Sequence, residues 1–343
     1  MPTATVDADE VIAALRSGDQ AAFAAVTERF RRQLHVHCYR MLGSFDEAEE
    51  IVQETFLRAW RARRAFEGRA LLRSWLYRIA TNACLDVIAR RRPQRVVVGD
   101  EVTWLQPYPD RLLELVAPSR DEPEEMAVSR ETIELAFIVA IQYLPPRQRA
   151  VLIARDVVGL PASGAAAMLD MSVAAVNSAL QRARATLRSV LPERRMDWTV
   201  ASEPTDAERE VLRRYIDASE RADLQSLAAL LREDARSAIP PQPGTYVGRA
   251  TLIELWRPVV VGPQAFGEFR IIPTGANRQP AAATYVRRAG DDRYRPLAID
   301  VLRIEDGLVA EVTTFGPRWF PRFGLPSALG LNEGAQLNRP QLS

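Results

Sequence analysis

Hydrophobic and polar positions alternate with helical period through most of the first 190 residues. From Asp46 to Arg64 an apolar stripe of Ala48, Ile51, Val52, Thr55, Phe56, Ala59 and Trp60 recurs three or four residues apart, and this spacing predicts an amphipathic helix. Acidic residues crowd its first half and arginines its second, which matches the helix dipole. A second helix is predicted over about Leu71 to Arg92, with Trp75, Leu76, Ile79, Ala83, Val87 and Ile88 inward. Phe66 to Ala70 is read as a polar, glycine-containing loop between the two.

Gly159 and Pro161 punctuate the chain before a short helix ending near Asp170. Ser172 then stands as an N-cap ahead of a longer helix with Val173, Val176, Leu180, Ala183 and Leu187 on one face. The outward flank carries Asn177, Gln181, Arg184 and Arg188, beside Ala175, Ser178 and Arg182. Amides and guanidinium groups on such a flank suit base edges in a major groove, and the small residues let the backbone approach. The pattern is that of a helix-turn-helix whose second helix probes DNA.

Beyond Thr205 the period changes. Helices are predicted at Asp206 to Arg221, Leu224 to Leu231 and Arg249 to Trp256. Strands are predicted near Ala235 to Ile239, Phe266 to Pro273, Ala281 to Arg288, Tyr294 to Ile304 and Leu308 to Phe315, with Glu305-Asp306-Gly307 as a hairpin turn. Helices come first and a curved antiparallel sheet is expected afterwards, an α+β order.

The chain has 343 residues, 45 basic against 44 acidic, and every basic residue is arginine. The absence of lysine excludes Schiff-base and Walker-type lysine chemistry. Arginines cluster between Arg58 and Arg78, at Arg90, Arg91, Arg92 and Arg95, and at Arg182, Arg184 and Arg188, whereas acids and prolines dominate Gly99 to Glu125. That acidic stretch reads as a flexible linker that belongs to neither neighbouring core. The domain plan is therefore 10–95, a linker 96–125, 126–192, a linker 193–204, 205–322, and a tail 323–343 that is disordered or clasping. Cys38 and Cys84 lack metal-ligand spacing, and no metal or cofactor is expected. His35 and His37, two apart on a helix, are expected to be partly exposed. With no signal region and no membrane-length apolar run, a soluble cytoplasmic protein is expected.

The residues Asp46-Glu47-Ala48-Glu49-Glu50-Ile51-Val52-Gln53-Glu54-Thr55-Phe56, Ser74-Trp75-Leu76-Tyr77-Arg78-Ile79-Ala80-Thr81-Asn82 and the end at Arg90 to Pro93 closely resemble domain two of extracytoplasmic-function sigma factors. Tyr143-Leu144-Pro145-Pro146-Arg147-Gln148-Arg149 and the helix-turn-helix resemble their domain four. Trp104-Leu105-Gln106-Pro107-Tyr108-Pro109-Asp110 is similar to the actinobacterial sigma-G and sigma-J types, which carry a fused extension. The α+β part resembles the SnoaL-like or nuclear-transport-factor-like cone. The resemblance implies all-α domains two and four, with core RNA polymerase and promoter DNA as partners. Asp46, Glu49, Glu50, Gln53 and Glu54 would face the polymerase clamp. Phe66, Arg69 and Asn82 would read the minus-ten element, with Arg90, Arg91 and Arg92 on phosphates. Ser172, Ala175, Asn177, Ser178, Gln181, Arg182, Arg184 and Arg188 would meet the minus-thirty-five element. The acidic linker would thread toward the polymerase channel. Gly164 stands where the family usually has an acidic residue and weakens its short helix by about 1 kcal/mol relative to alanine.

The last domain lacks histidine, cysteine and lysine, which leaves Asp217, Asp300, Glu254, Tyr215 and Tyr246 as its candidate acid–base groups. A fused regulator that takes a small-molecule ligand or a protein partner is therefore expected, rather than an enzyme. A cyclase or isomerase is the alternative.

Overall fold

The structure is a computed structural model that describes residues 8–66, 72–90, 102, 104–113, 133–190, 204–262 and 265–331. These divide into two compact units. One holds the described residues within 8–90 and 136–190, the other those within 102–113, 133–135 and 204–331.

The first half of the helical unit contains α1 (Ala8–Ser17), α2 (Gln20–Leu42), α3 (Phe45–Ala62) and α4 (Leu72–Arg90). Asp19 caps α2 by accepting from the amides of Ala21 and Ala22, and Ser44 caps α3 by accepting from Glu47. The predicted stripe of α3 is its buried face, except that Trp60 is half-buried. On α4 the buried seam is Leu76, Tyr77, Ala80, Thr81, Ala83 and Cys84, so Ile79, Val87 and Ile88 lie at its margin instead of its centre. The displacement follows from α2, which supplies a polar partner: His37 Nε2 lies 2.8 Å from Thr81 Oγ1. His35 and His37 are consequently buried, contrary to expectation. Burial and the nearby Arg40 charge lower the His37 pKa to about 3, which keeps the ring neutral. Cys38 and Cys84 are buried free thiols.

The second half contains α6 (Leu135–Gln142), α7 (Pro146–Leu152), α8 (Ala162–Leu169) and α9 (Val173–Val190), with a π-helical turn at Ile153–Val157. Asp170, at φ 52°, ends α8 in the left-handed region, and Ser172 Oγ then accepts from Ala175 N at 3.1 Å to start α9. Val176, Leu180, Ala183 and Leu187 are buried as predicted. Val173 is 44% exposed, because the first residue of a helix projects beyond the packed seam.

In the second unit α5 (Asp110–Leu113) precedes α10 (Asp206–Glu220), α11 (Leu224–Leu230) and α12 (Arg249–Val260). Thr205 and Glu208 form a reciprocal capping box at the start of α10. The sheet has six strands: β1 (Leu231–Ala238), β2 (Thr245–Val247), β3 (Glu268–Ala276), β4 (Gln279–Arg287), β5 (Arg295–Glu305) and β6 (Leu308–Phe315), in the order β2-β1-β6-β5-β4-β3. The sheet is mixed rather than antiparallel, since β1 returns to pair in parallel with β6. The three-residue β2 went unpredicted; it is too short and too exposed to show alternation. Asp306 and Gly307 take φ values of 51° and 76°, the pair of positive angles that a two-residue hairpin needs.

One sheet face meets α10, α11 and α12 through Val211, Leu212, Tyr215, Leu227, Leu252, Ala282, Leu302 and Val312. After β6 the chain folds back: the Phe320 ring lies edge-on to Tyr285, Tyr285 Oη donates to the Pro326 carbonyl at 2.9 Å, and Leu329 bridges Tyr294. Through these contacts the chain beyond β6 lies against the sheet as far as Leu329. Among the described residues no helix is long and apolar enough to cross a membrane.

Candidate polymerase and nucleic-acid interface

The α3 acids stand on the side opposite its buried stripe. Glu50 and Gln53 are exposed, while Asp46, Glu49 and Glu54 are half-buried. Glu54 has a structural bond as well: it accepts from Arg58 at 2.8 Å, and Arg58 also reaches Asp86 of α4 at 2.9 Å. These two carboxylates hold the Arg58 pKa above its ordinary value. Of the five expected clamp residues, Glu50 and Gln53 are the ones that face outward most fully.

The minus-ten candidates divide. Asn82 is exposed on α4 and lines a cleft of about 230 Å³ with Arg78, Leu85, Arg147, Leu169, Asp170 and Met171. That cleft lies where α4 packs beside α7 and α8 in the same unit. Phe66 is 5% exposed, stacks on Trp75 with centroids 4.7 Å apart, and accepts at its carbonyl from Arg16 Nε at 2.6 Å. As placed, Phe66 and Trp75 occupy each other's faces; either ring stacks on a base only after they separate. Arg90 is exposed; Arg69, Arg91 and Arg92 lie outside the described residues.

The two halves of this unit are joined by Arg149. Its guanidinium is 4% exposed and donates to the Met41 carbonyl at the end of α2, to Gln142 Oε1 and O, and to the Leu144 carbonyl. Gln142 in turn donates to the Arg40 carbonyl. In the sequence Arg149 is the last residue of the Tyr143 to Arg149 motif, with no role implied for it. The periodicity of α7, which puts it on the apolar side, was the available signal.

The residues expected at the minus-thirty-five element stand together along α9 and its N-cap. Ser172, Asn177, Ser178, Gln181, Arg182, Arg184 and Arg188 are all exposed on α9, with Ala175 half-buried between them. Arg182 donates to Ser178 at 2.6 Å, one turn back. Arg184 makes a bidentate pair with Asp156 at 2.7 and 2.9 Å, which raises its pKa and aims its fork.

The connector between the two helical halves departs most from expectation. Leu105, Tyr108 and Leu113 are buried in the second unit, so this part of the acidic stretch belongs to a core after all. The β3–β4 hairpin holds it. Asn277 and Arg278, at φ 57° and 58°, form the turn. The Asn277 side chain accepts from Tyr108 N at 2.7 Å and donates to the Ile133 carbonyl at 2.7 Å, while its own amide donates to the Tyr108 carbonyl. Gln279 accepts from Leu135 N, and Asp110 accepts from Arg278 N at 2.6 Å. Gly275 makes room for this: a Cβ there would lie 2.4 Å from Asp110 Oδ2. Arg111 donates twice to the Arg322 carbonyl. Both ends of the connector are thus tied to one hairpin. An acidic, proline-broken composition hid this, because its few apolar residues show no period.

A helical half with an acid-faced helix, a second half with an exposed DNA-probing helix, and a sheet domain holding the segment between them define a promoter-recognition factor with a fused accessory domain. Comparison with known proteins agrees. Residues 26–94 match sigma-70 region 2, residues 134–187 match sigma-70 region 4, and residues 212–312 match the SnoaL-like domain. The chain is 41% identical over 330 residues to the ECF RNA polymerase sigma factor SigG of Mycobacterium tuberculosis, covering 92% of this chain and 86% of that protein. It is 32% identical over 183 residues to SigW of Bacillus subtilis, covering 52% of this chain and 92% of SigW. The crystal structure of Mycobacterium tuberculosis SigJ superposes with a TM-score of 0.59 at 22% identity, over 89% of this chain and 99% of that one, a likeness of fold. The chain belongs to the extracytoplasmic-function sigma factors of RNA polymerase. It binds core RNA polymerase and directs promoter recognition and transcription initiation.

Proposed function

We propose that the SnoaL-like domain regulates this sigma factor by holding the connector between regions two and four, and that the chain acts as an initiation factor with no reaction of its own. The carrying observation is Asn277, one buried side chain that bonds both ends of the connector, at Tyr108 and at Ile133. A connector docked on the hairpin is withheld from a path through polymerase, so docking and threading compete for the same segment. Because the contact is intramolecular, a weak interface suffices to bias the outcome.

In this reading Asp46, Glu49, Glu50, Gln53 and Glu54 face the polymerase clamp. Asn82 reads the minus-ten element, with Phe66 and Arg69 beside it and Arg90, Arg91 and Arg92 on the phosphates. Ser172, Ala175, Asn177, Ser178, Gln181, Arg182, Arg184 and Arg188 meet the minus-thirty-five element. The exposed amide and guanidinium row on α9 supports that last assignment.

Run-off transcription with the full chain and with a chain ending after Arg195, at matched core occupancy, tests the regulatory part. A change in initiation on several promoters is expected. Indistinguishable initiation would leave the domain without a regulatory role.

A further inference from the structure

The turn of the β3–β4 hairpin has an arginine where glycine is the ordinary choice. Asn277 and Arg278 both take positive φ, and the second position of such a two-residue turn favours glycine, because a side chain there is strained. Arg278 holds the connector through its backbone amide, which donates to Asp110, and a glycine would make the same bond. Its side chain has no such task. The side chain is half-buried, its Nε is buried without a hydrogen-bond partner, and no carboxylate among the described residues pairs with its guanidinium.

That side chain lines a cavity of about 330 Å³ between the connector and the hairpin, apart from the core beneath the helices. Pro109 and Arg111 line it from the connector, Thr274 and Arg278 from the hairpin, and Phe323 from the segment after β6. Arg111 donates through Nε and one Nη to the Arg322 carbonyl, bonds that orient its fork and leave its charge uncompensated. The one acid in the lining, Asp110, already accepts from the Arg278 amide. Two guanidinium groups against one carboxylate give the cavity a net positive charge. Arginine forks with a threonine hydroxyl beside them are the donors that a phosphate group takes. Pro109 and Phe323 add apolar surface for a small organic body, and the volume is at the small end of ligand pockets.

We propose that this cavity binds a phosphate group, as free phosphate or a small phosphomonoester, clamped between Arg111 of the connector and Arg278 of the hairpin. Bound there, the anion touches both segments and so favours the docked connector over the released one. That consequence rests on the regulatory reading, whereas the site itself needs only the arrangement of the free chain.

Isothermal titration of the full chain, without polymerase, with phenyl phosphate, inorganic phosphate and benzyl alcohol tests the site; the alcohol keeps the ring and drops the charge. Both phosphates are expected to bind at least tenfold more tightly than benzyl alcohol. Tighter binding of phenyl phosphate than of inorganic phosphate assigns the site to a phosphomonoester, and equal binding assigns it to free phosphate. Arg278→Gln and Arg111→Gln are each expected to lose at least fivefold in phosphate affinity. Arg293→Gln, which removes an exposed charge beyond the far end of β4, is expected to change it less than twofold. Circular dichroism confirms that the variants fold, and Arg278→Gln is the deciding one, because its side chain makes no bond that the fold would lose. No phosphate binding by the wild type, binding no tighter than that of benzyl alcohol, or affinity undiminished in Arg278→Gln would overturn the proposal. Such a failure leaves the run-off test of the regulatory reading untouched, and indistinguishable initiation in that test leaves the site standing.

Discussion

The two candidate DNA-reading surfaces of the helical unit are built on the same amphipathic principle, yet one is presented and the other is occupied. On α9 the polar row stands in solvent, with Arg182 bonded to Ser178 one turn back and Arg184 to Asp156 of the same unit. On α4 the exposed Asn82 looks into a cleft shared with residues of α7 and α8, and Phe66 is stacked on Trp75. In the proposed assignment the minus-thirty-five face needs only an approach, whereas the minus-ten face needs Phe66 and Trp75 to separate. Arg149 ties the halves together, bonding the end of α2 to the end of α6 and to the turn before α7.

The largest expected effect is therefore at Arg149. Arg149→Ala leaves several buried carbonyls unpaired and is expected to lower unfolding free energy by about 3 kcal/mol, measured by denaturant titration. A loss below about 1 kcal/mol would mean that the two halves are held by apolar packing alone. Next come Gln181→Ala and Arg182→Ala, each expected to cost about 1 to 3 kcal/mol in promoter affinity and to relax selectivity at one or two positions. Equal weakening on all sequences would make them phosphate contacts instead and bring the two surfaces closer in kind.

Asn82→Ala is expected to spare core binding and to reduce open-complex formation on duplex promoters, with partial recovery on a pre-melted template. Equal loss of core binding would remove Asn82 from the minus-ten role. The smallest effect is at the cap: Ser172→Ala is expected to destabilise by about 1 kcal/mol, read as a lowered Cm. A neutral result would show that α9 is started by packing rather than by its cap.

The sequence was most legible where one periodicity governs burial. The α3 stripe and the buried seam of α9 follow directly from it. It was least legible where burial is decided by a partner distant in the chain. His37 looks like a surface histidine until Thr81 is placed beside it, and Asn277 looks like an ordinary turn residue until Tyr108 and Ile133 arrive from more than a hundred residues away. The parallel pairing of β1 with β6 belongs to the same class, because no local pattern specifies which strand closes a sheet. Among the site residues, the outward row of α9 was read from spacing alone, whereas the burial of Phe66 depends on its stacking partner.

The central claim is that the β3–β4 hairpin holds the connector in the free protein and gives it up in the working complex. Hydrogen–deuterium exchange over residues 104–113, in the free chain and in the core-bound holoenzyme, tests it most directly, with Gly275→Ala as the control that crowds Asp110 off the hairpin. The account predicts protection in the free wild type, its loss in Gly275→Ala, and its loss again on binding core polymerase. Protection that is unchanged between free and core-bound wild type would contradict it.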